Sequence, residues 1–408
     1  MSSSIQSGTA RLLRKGATIL LPETVEISDD VDLDLVAPDI TIHPGCRIRG
    51  SATVIGAGSV LGEEQPLTLQ DCQLGCGVRL KGGFVSGSTF LDNSSMGSGA
   101  HVRPGSLIEE EASGAHSVGL KQTILLPFVT LGSLINFCDA LMAGGTSRKN
   151  HSEVGSSYIH FNFTPHQDKA TPSLVGDVPH GVMLNQPPIF LGGQGGLVGP
   201  VRLGFGTVVP AGVVCRRDAL DSGQIVFGVP LPTTGAIPYD AGVYKDVTRV
   251  IRNNLIYLGN LQALQAWYDH ARPLGTGAHP IQVACIEGAR QRLVECMNER
   301  VRRLDQFQKN VQSSVEILVA RGESDLSPFL VSQRGFITAW PGMKEQVLTP
   351  LPDDFEAGNR DAVLQALSSG ESPSYWPDRI AALSPEVQKA GNTWLQGIVD
   401  RASDLWHP

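Results

Sequence analysis

The 408-residue sequence predicts a mainly β domain of stacked three-sided coils followed by an α-helical domain, and three observations carry that prediction. Aliphatic or similarly apolar residues recur every six positions. One run is Val36, Ile42, Ile48, Val54 and Val60; a second is Cys72, Val78, Phe84, Phe90, Met96, Val102 and Ile108; a third is Leu191, Leu197, Leu203, Val209 and Cys215. Glycine pairs fall between these positions, in GAGS (56–59), GCGV (75–78), GSGA (97–100) and GFGT (204–207). Composition then changes near residue 230: most of the 46 glycines precede it and all five tryptophans follow it.

A period of six matches neither a helix nor a strand, but it is what hexapeptide coils require, because each face of a triangular coil then points one residue inward. Glycine supplies the corner geometry that a β-carbon would obstruct. Antiparallel strands with evenly spaced turns are the alternative; three runs holding one phase favour the coils. Repeats of this kind resemble the single-stranded left-handed β-helix, an exception to the right-handed crossover rule, whose stack needs a cap at each end. The chain divides accordingly into an N-terminal cap (1–22), a β-helix (23–235) and an α-helical domain (236–408).

The change of pattern follows PLPTTGAIP (230–238), a hinge rich in Pro and Gly. Residues 243–268 predict one amphipathic helix, ended by Pro273. A longer helix runs from Pro280 to Ala320, with Leu293, Met297, Leu304, Val311, Val315 and Leu318 spaced by three, four or seven. That stripe reads as core, with a subunit-bridging coiled coil as the sharper alternative. Pro and Ser punctuate 323–385, and a last helix covers 385–404.

With 41% hydrophobic and 18% charged residues the chain reads as globular. The 32 Lys and Arg against 40 Asp and Glu give a net charge of −8, which argues against nucleic acid as a partner and leaves room only for a local anion pocket. Seven scattered cysteines without a CxxC pair suggest neither a disulfide framework nor a zinc ribbon and suit a reducing cytoplasm. The apolar stretch after Arg11, Arg14 and Lys15 is too short for a signal-peptide core, and no apolar run is long enough to span a bilayer; the expectation is a cytoplasmic protein with no membrane span.

Several stretches carry a family resemblance. GLVGPVRLGFGTVVPAG (196–212), preceded by IFLGG (189–193), resembles the C-terminal β-helix of the bifunctional N-acetylglucosamine-1-phosphate uridylyltransferase/glucosamine-1-phosphate acetyltransferase family. LLRKGATILLPETVEI (12–27) with ITIHPGCRIRG (40–50) is similar to the entry into that β-helix, and HVRPGSLIEE (101–110) to its arginine-bearing coil. The resemblance covers residues 8–218. Nothing matches the LxxGxGTRM-type nucleotide loop of the uridylyltransferase half, so the resemblance does not imply nucleotidyl transfer. It does imply a homotrimer, acetyl-CoA or another acyl-CoA as co-substrate, and a sugar phosphate or nucleotide sugar as acceptor.

The resemblance also implies site residues. Arg103 in HVRPG matches an arginine that grips sugar phosphate, and Lys121 in VGLKQ falls near a second basic contact; a guanidinium fork and an ammonium both suit phosphate. HFNFTPHQDK (160–169) resembles a CNYDGxxK segment that orients the amino sugar. Asn162 matches its Asn, Phe163 replaces its Tyr, and Lys169 matches its Lys after one inserted residue. The family's general base is a histidine in a GSxxGH stretch. Here GSLINF (132–137) puts Phe137 in its place, and Phe cannot accept a proton from an attacking amine. His151, inside an insertion that breaks the six-residue phase, and His166, in the loop itself, are the catalytic candidates in its stead, while His160 and His180 lie nearby. Tyr158, His160 and Asn162 alternate as the outward face of a strand would.

Ser156, Gly193 and Ala211 fall where small residues line the CoA arm, and Arg217 is placed to meet a CoA phosphate. Small corner residues are equally what any coil stack needs. Metal-binding relatives of the same fold use three histidines at subunit boundaries, a spacing not evident here, so no metal is expected. The expected function is an acyl-CoA-dependent acyltransferase acting on a sugar phosphate or nucleotide sugar. The alternative is a catalytically silent β-helix that binds a sugar nucleotide or acts as a scaffold.

Overall fold

The computed structural model describes residues 2–228, 235–236, 238–277, 279–369 and 373–406, with side chains from Gly8 onward. It is a β-solenoid of parallel strands followed by a helical region. Ten two-residue strands, from Thr18–Ile19 to Val208–Val209, stack into the first face. A 16-stranded sheet forms the other two faces; it is continuous because strands Gly119–Leu125 and Asn136–Met142 run through the corner between them.

The register of face two shows what the six-residue period encodes. Ile27, Ile48, Leu69, Val85, Val102, Leu120 and Phe137 lie opposite one another in successive coils, all buried, and His160, Leu197 and Cys215 continue the ladder. The predicted runs hold over most of their length but slip twice. Val60 is half-buried while Leu61 takes the core position, and Phe84 turns outward against His101 while Val85 points in. Coils that differ in length by one residue produce such slips, because alternation within a strand exchanges the two faces.

The corner between faces two and three is a column of left-handed backbone: Gly50, Asp71, Gly87, Gly105, Gln122 and Asp139 all have positive φ. At Gly105 a β-carbon would lie 2.8 Å from Gln122 Cγ. Where the column carries Asp, a short polar side chain tolerates that conformation.

Helix α1 (Ser2–Lys15) covers the first coil, with Leu12 buried and Lys15 Nζ donating to the carbonyls of Leu33 and Val36, each at 2.6 Å. Three insertions leave the coils: a hairpin (Gly145–Ser147 with Asn150–His151), the loop 162–172, and a segment holding the short helix α2 (Val178–Gly181). Most of the hinge read at 230–238 lies outside the described residues.

The helical region comprises α3 (Thr248–His270), α4 (Pro280–Ala320), α5 (Pro328–Leu348), α6 (Ala357–Leu367), α7 (Trp376–Ala381) and α8 (Pro385–Ser403). α3, α4 and α8 meet the sequence expectation. α5, α6 and α7 occupy the stretch read as punctuated: Pro328 and Pro377 sit in first turns, where the missing N–H costs nothing, and Pro341 is accommodated within α5. The proline pattern there marked helix starts. The apolar stripe of α4 is core, since Leu293, Leu304 and Val311 are fully buried. The helix lies along face three, closely enough at Gly288 that a β-carbon would stand 2.2 Å from Gln73 Oε1.

A buried ionic cluster joins the two parts. Arg272 pairs with Glu110, both 4% exposed, and its guanidinium lies 4.5 Å over the Trp376 ring. Tyr268 donates to Glu109 Oε1 at 2.6 Å, and Tyr375 to Glu111 Oε1 at 2.7 Å. Burial pushes the Glu109 carboxyl up to about 7, against the pull of Arg272. Removing one partner of a buried pair leaves the other charge uncompensated, so Arg272→Met is expected to cost about 3–5 kcal/mol in urea unfolding, whereas the exposed pair mate Arg79→Met changes stability by less than about 1 kcal/mol.

Candidate functional site

Four of the residues singled out in the sequence, spread from residue 103 to 169, line one cavity of about 190 Å³. Arg103 and Lys121 project from adjacent strands of face two, as the pairing of Val102 with Leu120 requires, and Cys138 follows opposite Lys121. Asn162, Phe163 and Lys169 come from the loop 162–172, and the Lys169 ammonium sits 4.6 Å from the centre of the Phe163 ring. Gln122 and Asp139 add the left-handed corner, and Glu299 and Arg303 of α4 close the wall.

Charge in this cavity is unevenly matched. Asp139 pairs with Arg300 at 3.1 Å, and Glu299 with Arg302 and with Arg303, the latter at 2.8 Å. Arg103, Lys121 and Lys169 make no ion pair among the described residues. Burial works against the Glu299 charge, but the guanidinium groups of Arg302 and Arg303 outweigh it and hold the carboxyl below the usual range. Arg103 Nη2 donates to Cys138 Sγ at 3.5 Å. Burial, with Asp139 adjacent, pushes the Cys138 thiol up despite the three cations around it, so it stays protonated at neutral pH. The cavity is therefore a cationic cleft with two carboxylates already engaged, suited to an anion that also carries hydroxyl or amino groups.

The helical region holds the loop. Arg300 Nη1 donates to the Lys169 carbonyl at 3.0 Å, Asn310 Nδ2 to the His166 carbonyl at 2.9 Å, and Asn254 Nδ2 to the Ala170 carbonyl at 3.1 Å. The Tyr244 hydroxyl donates to Asp168, and the His166 ring stacks 4.2 Å from that of Tyr244.

Neither catalytic candidate lines the cavity. His151 sits on the hairpin at the corner between faces three and one, its Nδ1 donating to the Arg148 carbonyl at 2.9 Å, and His166 faces Tyr244. Phe137 is fully buried inside the coil, packed edge-on against Tyr158. The expected outward face is also reversed: Tyr158 and His160 point in, while Ile159 and Phe161 are exposed. His160 is the one histidine beside the cavity. Its Nδ1 faces the Cys138 carbonyl and must carry the proton, so Nε2 accepts from Ser173 Oγ at 2.8 Å, and both ring nitrogens are used.

Ser156, Gly193 and Ala211 do come together, stacked at the corner between faces one and two. Gln194 N donates to the Ser156 carbonyl at 2.8 Å and Gly212 N to that of Gly193 at 2.9 Å. A β-carbon on Gly193 would lie 2.7 Å from Ser156 O, so the coil stacking itself demands the small residue. Arg217 follows the last strand of face two, Val214–Cys215, at a different corner. Among the described residues no group of three His, Cys, Asp or Glu side chains is arranged to hold a metal, and no helix is long and apolar enough to cross a membrane.

The sequence reading did not single out Glu299, Arg300 or Arg303. A signal was present: Arg300 falls between Met297 and Leu304 on the apolar stripe of α4, and a charge at a core position asks for a buried partner.

No protein-family model matches the chain. Bifunctional GlmU proteins match about half of it: that of Brevibacillus brevis is 29% identical over 210 residues, 52% of this chain and 40% of its own length. The GlmU of Trichlorobacter lovleyi is 28% identical over 209 residues, and that of Thermus thermophilus 30% over 196, covering 48% of this chain and 38% of its own. The chain thus spans about two fifths of the length of the curated relatives it matches.

Burial lowers the His160 pKa, since a charged imidazole there would lose solvation and the bond from Ser173. With the folded value below the ordinary 6.5, the unfolded chain binds the proton more tightly, so the stability His160 contributes is present above pH 6.5 and is lost as pH falls through it. Thermal melts from pH 8 to 5 on the wild type and His160→Gln are expected to give a difference curve that shrinks towards low pH; parallel curves would contradict this.

Proposed function

We propose that the chain is a hexapeptide-repeat acyltransferase of left-handed β-helical build that moves an acyl group from an acyl-CoA to a sugar phosphate or nucleotide sugar. The observation carrying this reading is the convergence on one cavity of Arg103, Lys121, Asn162 and Lys169, the residues that the resemblance assigns to the substrate. In this reading the uncompensated cations receive the phosphate, Asn162 orients the sugar, and Glu299 and Asp139 accept from its hydroxyl or amino groups. The corner of Ser156, Gly193 and Ala211 takes the CoA arm, and Arg217, across face two at the next corner, is the proposed contact for a CoA phosphate. The likeness of about half of this chain to GlmU proteins supports the same assignment, as does the exposure of Ile159, Phe161, Phe163 and Phe190, apolar side chains suited to packing against further copies in a trimer.

Transfer to an amine needs a base. His166 on the loop and His151 on the projecting hairpin are the proposed bases, the latter serving the cavity of a neighbouring subunit.

A second reading rests on a specific observation. His160 has both ring nitrogens engaged, and both cavity carboxylates are ion-paired. A single chain would then bind the sugar phosphate without transferring anything to it.

Release of CoA from acetyl-CoA, followed with a thiol reagent over a panel of amino-sugar phosphates and nucleotide sugars, separates the two. Transfer predicts turnover with at least one acceptor, a KM for that acceptor raised about tenfold or more in Lys169→Met, and loss of kcat in either His151→Ala or His166→Ala with acceptor binding kept. Sugar-phosphate binding without turnover or CoA binding would leave the second reading.

A further inference from the structure

We propose that Arg303 of α4 is a phosphate-binding residue, so that the helical region supplies part of the binding site and the ligand is gripped between the two parts of the chain. This rests on the reading of the cavity as a sugar-phosphate site. Arg303 lines the cavity, and its side chain is only 17% exposed. Its Nε donates to Glu299 Oε1 at 2.8 Å, while Arg302 holds the other oxygen of the same carboxylate. Among the described hydrogen bonds the two terminal nitrogens of Arg303 are unused, and they form the pair of parallel donors that meets two oxygens of one phosphate. Glu299 thus orients the fork, as a carboxylate behind an arginine does at a preorganised anion site.

The rest of the wall makes this placement useful. Arg103 and Lys121 reach the cavity from strands, Lys169 from the loop, and Arg303 from the helix that holds the loop through Arg300. A phosphate bound among them would bridge the strands and loop of the solenoid to α4. Asp139 is engaged by Arg300, and Glu299 is shared between Arg302 and Arg303, so Arg103, Lys121 and Lys169 keep their charge uncompensated.

The test is titration calorimetry with glucosamine-1-phosphate and with UDP-N-acetylglucosamine as probes, on the wild type, Arg303→Gln, Arg303→Lys, Arg103→Gln and Arg321→Gln. Arg321→Gln removes the same charge just past the end of α4, at an exposed pair with Asp240 away from the cavity. Arg303→Gln is expected to weaken the tighter probe about 10- to 100-fold. Arg303→Lys, which keeps the charge and loses the fork, is expected to fall between, and guards against a folding defect in the first variant. Loss in the diphosphate arm alone places Arg303 on the second phosphate; loss in both places it on the phosphate shared by the probes. If Arg103→Gln weakens binding while both Arg303 variants stay within twofold of Arg321→Gln, the inference is overturned and the proposed function stands. If the wild type binds neither probe, the proposed function falls and takes the inference with it.

Discussion

The cavity depends on one buried ion pair. Arg300, 1% exposed, meets Asp139 at 3.1 Å across the boundary between helix and solenoid, and its other terminal nitrogen holds the Lys169 carbonyl. Separating two desolvated charges is costly, so the pair favours one position of α4 along the coil stack, with Arg300 Nη2 facing Asp139 as an ion pair without a hydrogen bond. A shift of one helical turn would leave a carboxylate and a guanidinium buried apart. Glu299 and Arg303 lie within a turn of Arg300, so fixing Arg300 also fixes them at the cavity wall. Asp139 takes part because the corner it occupies has left-handed backbone, where Asp is among the few residues tolerated with a side chain.

The solenoid brings its own constraint. Parallel, in-register stacking places outward residues of successive coils side by side, so Arg103 and Lys121 are neighbours whether or not their charges welcome it. Like charges on adjacent strands cost stability. Here Cys138 completes the row, and its thiol is kept neutral by burial and by the adjacent Asp139, so no carboxylate or thiolate relieves the two cations. An anionic ligand would offset that repulsion beyond what solvent screening does. The same stacking explains why the glycine-rich corner is weaker evidence: at Gly193 the neighbouring coil already excludes a β-carbon, ligand or not.

The six-residue period made the solenoid legible, because a core that admits one inward residue per face leaves its spacing in the sequence. It failed locally at Val60 and Phe84, where a coil gains or loses a residue and the strand rotates its faces. The same effect hid His160. Insertions at 144–152 and 162–172 bracket its strand, so the phase could not be carried through them, and a residue read as facing outward proved to belong to the inward ladder of Leu120, Phe137 and Leu197. The resemblance located the half of the cavity built from strands and loop. The other half lies in α4, beyond the reach of that resemblance, and only the misplaced polarity of Arg300 within an apolar stripe marked it.

In the proposed function, binding and transfer would therefore draw on different groups. Groups that hold charge are abundant at the cavity, and groups free to move a proton are not. His160 is committed at both nitrogens, to a carbonyl on one side and a hydroxyl on the other, and taking up a proton would break the bond from Ser173 that keeps it in an otherwise apolar ladder. Glu299 is stabilised as an anion by two arginines, which makes it a poor base for the same reason that it is a good orienting group. Phe137, in the core, gives the coil an aromatic contact with Tyr158 where a histidine would bring a polar ring. In the proposed transfer, a proton acceptor for an amine nucleophile would have to be delivered to the site, by rearrangement of the loop that carries His166 or by the hairpin of another copy. Control over whether chemistry follows binding would then reside in the two insertions, 144–152 and 162–172, the segments where the sequence departs furthest from its repeat.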